Sequence, residues 1–229
     1  TGALRVAADF LLRAAPRATV WISNPSWANH QAIFEAAGHP VKDYRYYDKA
    51  SQGLDGEGLM VDLEQMSDGD ILILHGCCHN PSGIDLDQAA WEAIAAQAKA
   101  KNLICLVDFA YQGFDEGIEE DRAGLHVLLN AGLAVLVTSS YSKNFGLYSE
   151  RIGAITIVEE TANDAINAFS HIQAAIRAIY SSPPAHGGKI VATILSDAKM
   201  KALWIQELTV MRTRIKEMRQ AFVQGMADR

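Results

Sequence analysis

Cysteine is scarce, with 3 residues in 229, two of them adjacent at Cys77 and Cys78 and the third at Cys105. Such a set cannot form the even, spaced framework of a secreted disulfide protein, and a reducing, cytoplasmic compartment is the natural reading. Neighbouring residues on an extended segment point to opposite faces, so Cys77 and Cys78 do not make a metal pair, and no metal is expected. Long apolar runs are missing as well. No stretch approaches the ~18 residues of a membrane span and no charged start leads into a signal-like segment, so the chain reads as soluble, without a membrane partner. A basic excess is the third absence. Lys+Arg 20 against Asp+Glu 27 gives a net charge of -7 with no basic run, which argues against a nucleic-acid partner. What is present is 49% hydrophobic and only 21% charged residues, enough apolar material for a substantial core. That excludes a disordered or collagen-like chain and fits one large α/β domain.

Short aliphatic or β-branched runs alternate with helical patterns along the chain, the signature of a parallel α/β sheet. Strands are expected at 19–23, 70–75, 103–108, 134–138 and 153–158. Helices are expected at 31–37, 86–100, 124–130 and 161–179, with Ser51 to Gly58 read as a surface loop. The chain opens at Thr1 without a methionine, directly in an amphipathic stretch carrying Leu4, Ala8, Leu11 and Leu12. It ends inside a helical pattern that runs from Asp197 through Leu208, Met211 and Phe222. It therefore reads as a segment of a longer protein.

In open α/β sheets, ligands bind beyond the carboxyl ends of the strands, so the loops there carry the chemistry. Four are unusual: N-P-S-W-A-N-H (24–30), H-G-C-C-H-N-P-S-G (75–83), D-F-A-Y-Q-G-F (108–114) and S-S-Y-S-K-N-F-G-L-Y-S-E-R (139–151). In the fourth, Lys143 follows an apolar strand and is flanked by Ser140 and Ser142, with Arg151 downstream. A lysine partly desolvated beside another cation loses basicity and can form a Schiff base. Asp108 ends an apolar strand, where its carboxylate needs a cationic partner; a helix cap or a nearby protein cation would serve, and so would a pyridinium N–H. Tyr111 adds a phenol, Asn80 an amide and Trp27 a flat stacking surface. Ser140, Arg151 and a helix start at Thr1-Gly2 would make a phosphate site. His75 and His79 are expected to hydrogen-bond rather than ligate metal, Trp91 and Trp204 to serve as core or interface residues, and Pro183-Pro184 to form a rigid turn with room for a cis bond.

These four motifs, with R-A-I-Y-S-S-P-P-A-H-G (177–187), resemble end to end those of the class I aspartate and aromatic aminotransferases, pyridoxal-phosphate enzymes of fold type I, closest to the bacterial aspartate branch. The resemblance implies the large, cofactor-binding domain of that fold over residues 1–229, a mostly parallel sheet flanked by helices. It makes Lys143 the lysine that bonds pyridoxal 5'-phosphate as an aldimine and shuttles the proton of transamination. Asp108 would pair with the pyridine nitrogen, with His30 behind it and His75 as further hydrogen-bonding support. Tyr111 and Asn80 would hold the ring oxygen, Trp27 would stack on the ring, and Thr1, Gly2, Ser140 and Arg151 would hold the phosphate. Trp27 and Asn80 would also meet the substrate. Arg177 would reach into a partner subunit and bind the side-chain carboxylate of aspartate or glutamate, which implies a homodimer with shared active sites; aromatic substrates stay open.

The family pattern also has parts this chain lacks: an N-terminal arm, the glycine-rich residues before Thr1, a tyrosine that reaches the partner's phosphate, and a small domain whose arginine binds the α-carboxylate. Ser140-Tyr141-Ser142-Lys143 also fits S-x-x-K of serine β-lactamases, but neither S-D-N nor K-T-G occurs in the chain. A non-catalytic cofactor-binding or oligomerisation module built on the same fold is the remaining alternative.

Overall fold

The computed structural model describes residues 1–228. Its elements are α1 (Gly2–Ala14), β1 (Val20–Asn24), α2 (Asn29–Ala37), β2 (Val41–Arg45), β3 (Tyr47–Asp48), β4 (Gly53–Leu54), α3 (Gly56–Gln65), β5 (Ile71–His75) and α4 (Gln88–Ala100). They continue with β6 (Ile104–Phe109), a 3-10 turn at Glu120–Arg122, α5 (Ala123–Asn130), β7 (Val135–Ser140), β8 (Gly153–Val158), α6 (Ala162–Ile179), α7 (His186–Ser196) and α8 (Ala198–Ala227).

Six strands form one sheet in the order β2-β1-β5-β6-β7-β8, parallel throughout except that β8 runs antiparallel to β7. Strand alternation divides the core in two. Val20, Ile22, Ile71, Ile73, Leu106 and Leu136 face one side, where they pack with α1, α2 and Ile172 of α6. Trp21, Leu72, Leu74, Cys105, Val107, Val135 and Val137 face the other, against residues of α3, α4 and α5. The result is a sheet covered by helices on both faces, as an all-buried parallel sheet requires. All five expected strands form, with ends within a residue or two of expectation.

The structure departs from the sequence reading in several places. Ser51 to Gly58 is not a plain loop: β3 and β4 pair as a small hairpin there, and α3 begins at Gly56 with Asp55 accepting from the Gly58 amide. The edge strand β2 and helix α7 were not anticipated, since V-K-D-Y-R has one buried residue and α7 opens on His186-Gly187-Gly188. Cys77 and Cys78 lie beyond the end of β5, so strand alternation does not separate them; both are free thiols, and Cys77 is buried in the core. The cis peptides are Asn24-Pro25 and Asn80-Pro81 rather than one at Pro183-Pro184.

The strand order reverses between β1 and β5. β2 lies on one side of β1 and all later strands on the other, so a crevice opens at the carboxyl ends of β1 and β5. The loops after β1, β5, β6 and β7 leave the sheet from this edge.

Candidate active site

Asp108 is a buried carboxylate at that edge. In the parallel register it stands level with His75 on β5 and Thr138 on β7. It is only 9% exposed. Thr138 Oγ1 donates to its Oδ1 at 2.8 Å, and His30 Nε2 meets its Oδ2 at 3.0 Å. Burial pushes this carboxyl upward, but the hydrogen bond and charge of His30 and the Thr138 hydroxyl outweigh it and hold the group below its ordinary value.

Behind His30 the hydrogen bonds run in one direction. The Asn80 backbone N–H donates to His75 Nδ1 at 3.5 Å, which leaves the His75 proton on Nε2, 3.3 Å from Ser26 Oγ. Ser26 then donates to His30 Nδ1 at 3.0 Å, and His30 donates from Nε2 to Asp108. His75 suits the neutral form this chain demands: burial first, then the charges of His79 and His30, bring it down to about 3. Asp108 is thus an almost fully buried carboxylate held by one imidazole and one hydroxyl. A further cation from a bound molecule at this edge would add to its stabilisation.

Lys143 sits on the loop after β7, half-buried, with Nζ 3.9 Å from the centre of the Tyr111 ring. Asn80, Tyr111, Lys143 and Tyr148 line a cleft of about 380 Å³, closed on one side by Ile215 and Arg219 of α8. The start of α1 lies near Asp108, Arg151 and Lys143. The Thr1 side chain makes no cap hydrogen bond to this helix. Ser140 and Arg151 come together because β7 and β8 pair there, with Ser140 opposite Gly153 and the Tyr141 amide donating to Ile152 O at 3.2 Å. Arg151 has a φ of 52° and gives one guanidinium N–H to Tyr148 O at 2.7 Å. Trp27 meets His30 edge-on, ring centres 5.2 Å apart.

The buried carboxylate, the lysine, the phenol and amide, and an anion site built from Ser140, Arg151 and the start of α1 fit a phosphorylated pyridine aldehyde in donor type and charge. Arg177 is not among the residues of this cleft. It lies exposed near the end of α6 and donates from Nη1 to Ser181 Oγ at 2.7 Å. Two of the network's members, Ser26 and Thr138, were not singled out from sequence. Ser26 lay inside a quoted motif, whereas Thr138 looked like one more β-branched strand residue. Trp91 is buried in the core, as expected of it. Trp204 is half-buried against Phe145, with ring centres 4.4 Å apart.

The family model for aminotransferase class I and II matches residues 1–229. Among relatives, the aspartate aminotransferase of Salmonella typhi is 51% identical over 229 residues, all of this chain and 58% of that protein. The aromatic-amino-acid aminotransferase of Escherichia coli is 44% identical over 227 residues, 99% of this chain and 57% of its own length. A crystal structure of the aromatic-amino-acid aminotransferase of Burkholderia pseudomallei, covalently bound to pyridoxal phosphate, superposes with a TM-score of 0.96 at 45% identity, covering 97% of this chain and 56% of that one. The chain thus spans less than three fifths of the length of these relatives. Its whole length matches one family model, and it belongs to the class I and II aminotransferases.

Proposed function

We propose that this chain is the pyridoxal-phosphate-binding large domain of an aminotransferase that moves an amino group between aspartate or glutamate and a 2-oxo acid. The observation that carries the reading is Asp108, a buried carboxylate held by His30 and Thr138, at the sheet edge that also carries Lys143. Bound there, the cofactor supplies an electron sink for the carbanion left when an amino acid loses its Cα proton.

The protein's residues do the rest. Asp108 keeps a proton on the ring nitrogen, and His30 and Thr138 keep Asp108 ionised. Lys143 Nζ attaches the cofactor and afterwards carries the proton from the substrate Cα. Tyr111 and Asn80 hold the ring oxygen, Trp27 covers the ring, and the start of α1 with Ser140 and Arg151 anchors the phosphate. Arg177, exposed and outside the lining of its own cleft, serves the substrate's second carboxylate in a twofold-related copy. Preference for acidic substrates is supported by that arginine and by 51% identity to an aspartate enzyme against 44% to an aromatic one. We place the protein in the cytoplasm, since all three cysteines are free thiols; among the described residues no helix is long and apolar enough to cross a membrane.

Borohydride reduction of the cofactor-loaded protein followed by peptide mapping tests the reading. The pyridoxyl label is expected on Lys143, and a label on any other lysine overturns the assignment.

A further inference from the structure

The lysine loop and the tyrosine loop leave different strands, yet Nζ of Lys143 stands 3.9 Å from the Tyr111 ring. Asn144, the residue after Lys143, donates from Nδ2 to the carbonyl of Gln112, the residue after Tyr111, at 3.1 Å. Asn144 is 5% exposed, so this bond is held out of water. Its own carbonyl accepts the indole N–H of Trp204 at 2.7 Å, and Trp204 also stacks on Phe145 with planes 22° apart. One and two turns further along α8, Leu208 packs so closely on Gly113 that a Cβ there would lie 2.3 Å from it, and Arg212 donates to Gly113 O at 3.0 Å. Positions 204, 208 and 212 recur every four residues and so share one helix face. That face spans both loops, with Trp204 on the lysine loop and Leu208 and Arg212 on the tyrosine loop.

We infer that Asn144 and Trp204 are positioning residues for Lys143, a clamp from α8 that fixes the lysine relative to Tyr111. The inference rests on the reading of Lys143 as the cofactor lysine. A shift of the amine by a fraction of an ångström moves it off the path between nitrogen and substrate carbon, whereas substrate binding depends on other groups. The clamp therefore acts on kcat more than on KM. One detail makes Asn144 separable from folding. Its Oδ1 is buried without a hydrogen-bond partner, so an isosteric apolar side chain removes that burial cost and partly offsets the loss of the donor to Gln112 O.

The test uses the full-length protein with Asn144→Leu and Trp204→Phe, the second keeping an aromatic ring against Phe145 while losing the N–H. Leu63→Ala, in the core under α3, serves as a control that loses stability away from both loops. With cofactor bound, both variants are expected to lose about 10-fold or more in kcat with KM within about threefold of the parent. The pH midpoint of the cofactor's visible absorbance should move by about half a unit or more, and the control should show neither change. Without cofactor, the rate at which Lys143 is acylated, read by peptide mapping, should change about threefold or more in both variants. Lys143 acylation and spectra like those of the control in both variants would overturn the clamp. A cofactor attached to another lysine, with Lys143 acylation still sensitive to both substitutions, would remove the functional reading and leave the clamp standing.

Discussion

His75 and His79 stand at the end of β5, and each is buried in a setting that admits only its neutral form. Burial, then the charges of His79 and His30, takes His75 from 6.5 to about 3, and burial, then His30, takes His79 to about 4. His79 is held by Ser23 at 2.8 Å and Ser82 at 2.7 Å and lies flat on Tyr46, with no carboxylate among these partners to stabilise a second proton. The linkage sign follows. A base whose pKa is lower folded than unfolded contributes stability that is present above 6.5 and is lost as pH falls toward the folded value. Asp108, also depressed, acts only below its own ordinary value of 3.8. Between about pH 6.5 and 5, then, the two histidines add a loss approaching about 1.4 kcal/mol per pH unit each. Denaturant unfolding across that range should show this slope, and His75→Asn should flatten it by about one proton whatever it does to stability at neutral pH. An unchanged slope in that variant would show that His75 protonates as readily folded as unfolded. Residues of this kind were legible in part. His30 and His75 were expected to support Asp108 because they lie in quoted motifs, but the serine and threonine that complete the chain depend on strand register, which no local pattern reveals.

Among elements, the β7–β8 pair shows how the fold brings Ser140 and Arg151, the proposed anion site, to one place. Gly153 opens β8 opposite Ser140, and a Cβ there would lie 2.6 Å from the Ser139 carbonyl oxygen. The antiparallel strands approach closely at that point, and the approach sets Arg151, two residues earlier, beside Ser140. Gly153→Ala must push the strands apart at the site, since backbone cannot give way as a side-chain tip can. The expected outcome is a fall of about 10-fold in pyridoxal phosphate affinity, measured by fluorescence titration, along with a stability loss of about 1–3 kcal/mol. Unaltered affinity would mean that Arg151 and Ser140 are placed by something other than this pairing. The strands themselves were readable, because buried on both faces they become aliphatic runs such as Ile71 to Leu74. β2 was not, since an edge strand with only Tyr44 buried carries no such run. α3 and α7 open on glycine-containing turns that read as loops, and their tertiary contacts override that weak propensity.

The whole molecule leaves much apolar surface uncovered. Of the sixteen large hydrophobic side chains exposed among the described residues, ten lie on α8 and four more at Ile166, Phe169, Ile179 and Tyr180, on or just after α6. A surface so uneven marks faces that meet other protein. α8 is 30 residues long, about 45 Å, and buries only Leu208 against the rest of the chain. Arg177 lies at the end of α6, close in sequence to the exposed Ile179 and Tyr180 and outside the Lys143 cleft. If a twofold dimer covers the region, it carries the guanidinium toward a neighbouring cleft, and a planar two-pronged donor there selects a second carboxylate. Arg177→Asp should then depress turnover of aspartate far more than that of an aromatic amino acid, which has no second carboxylate, and should improve turnover of cationic amino acids through the reversed charge. Because the residue acts across an interface, mixing Arg177→Asp protein with a Lys143→Ala variant should restore aspartate turnover. In the mixed dimer one cleft has both an intact lysine and an intact arginine from the other copy. Full-length protein is also expected to sediment as a dimer at micromolar concentration. Equal losses for both substrate classes, no recovery on mixing, or an active monomer would each show that Arg177 does not read the distal carboxylate from a second subunit.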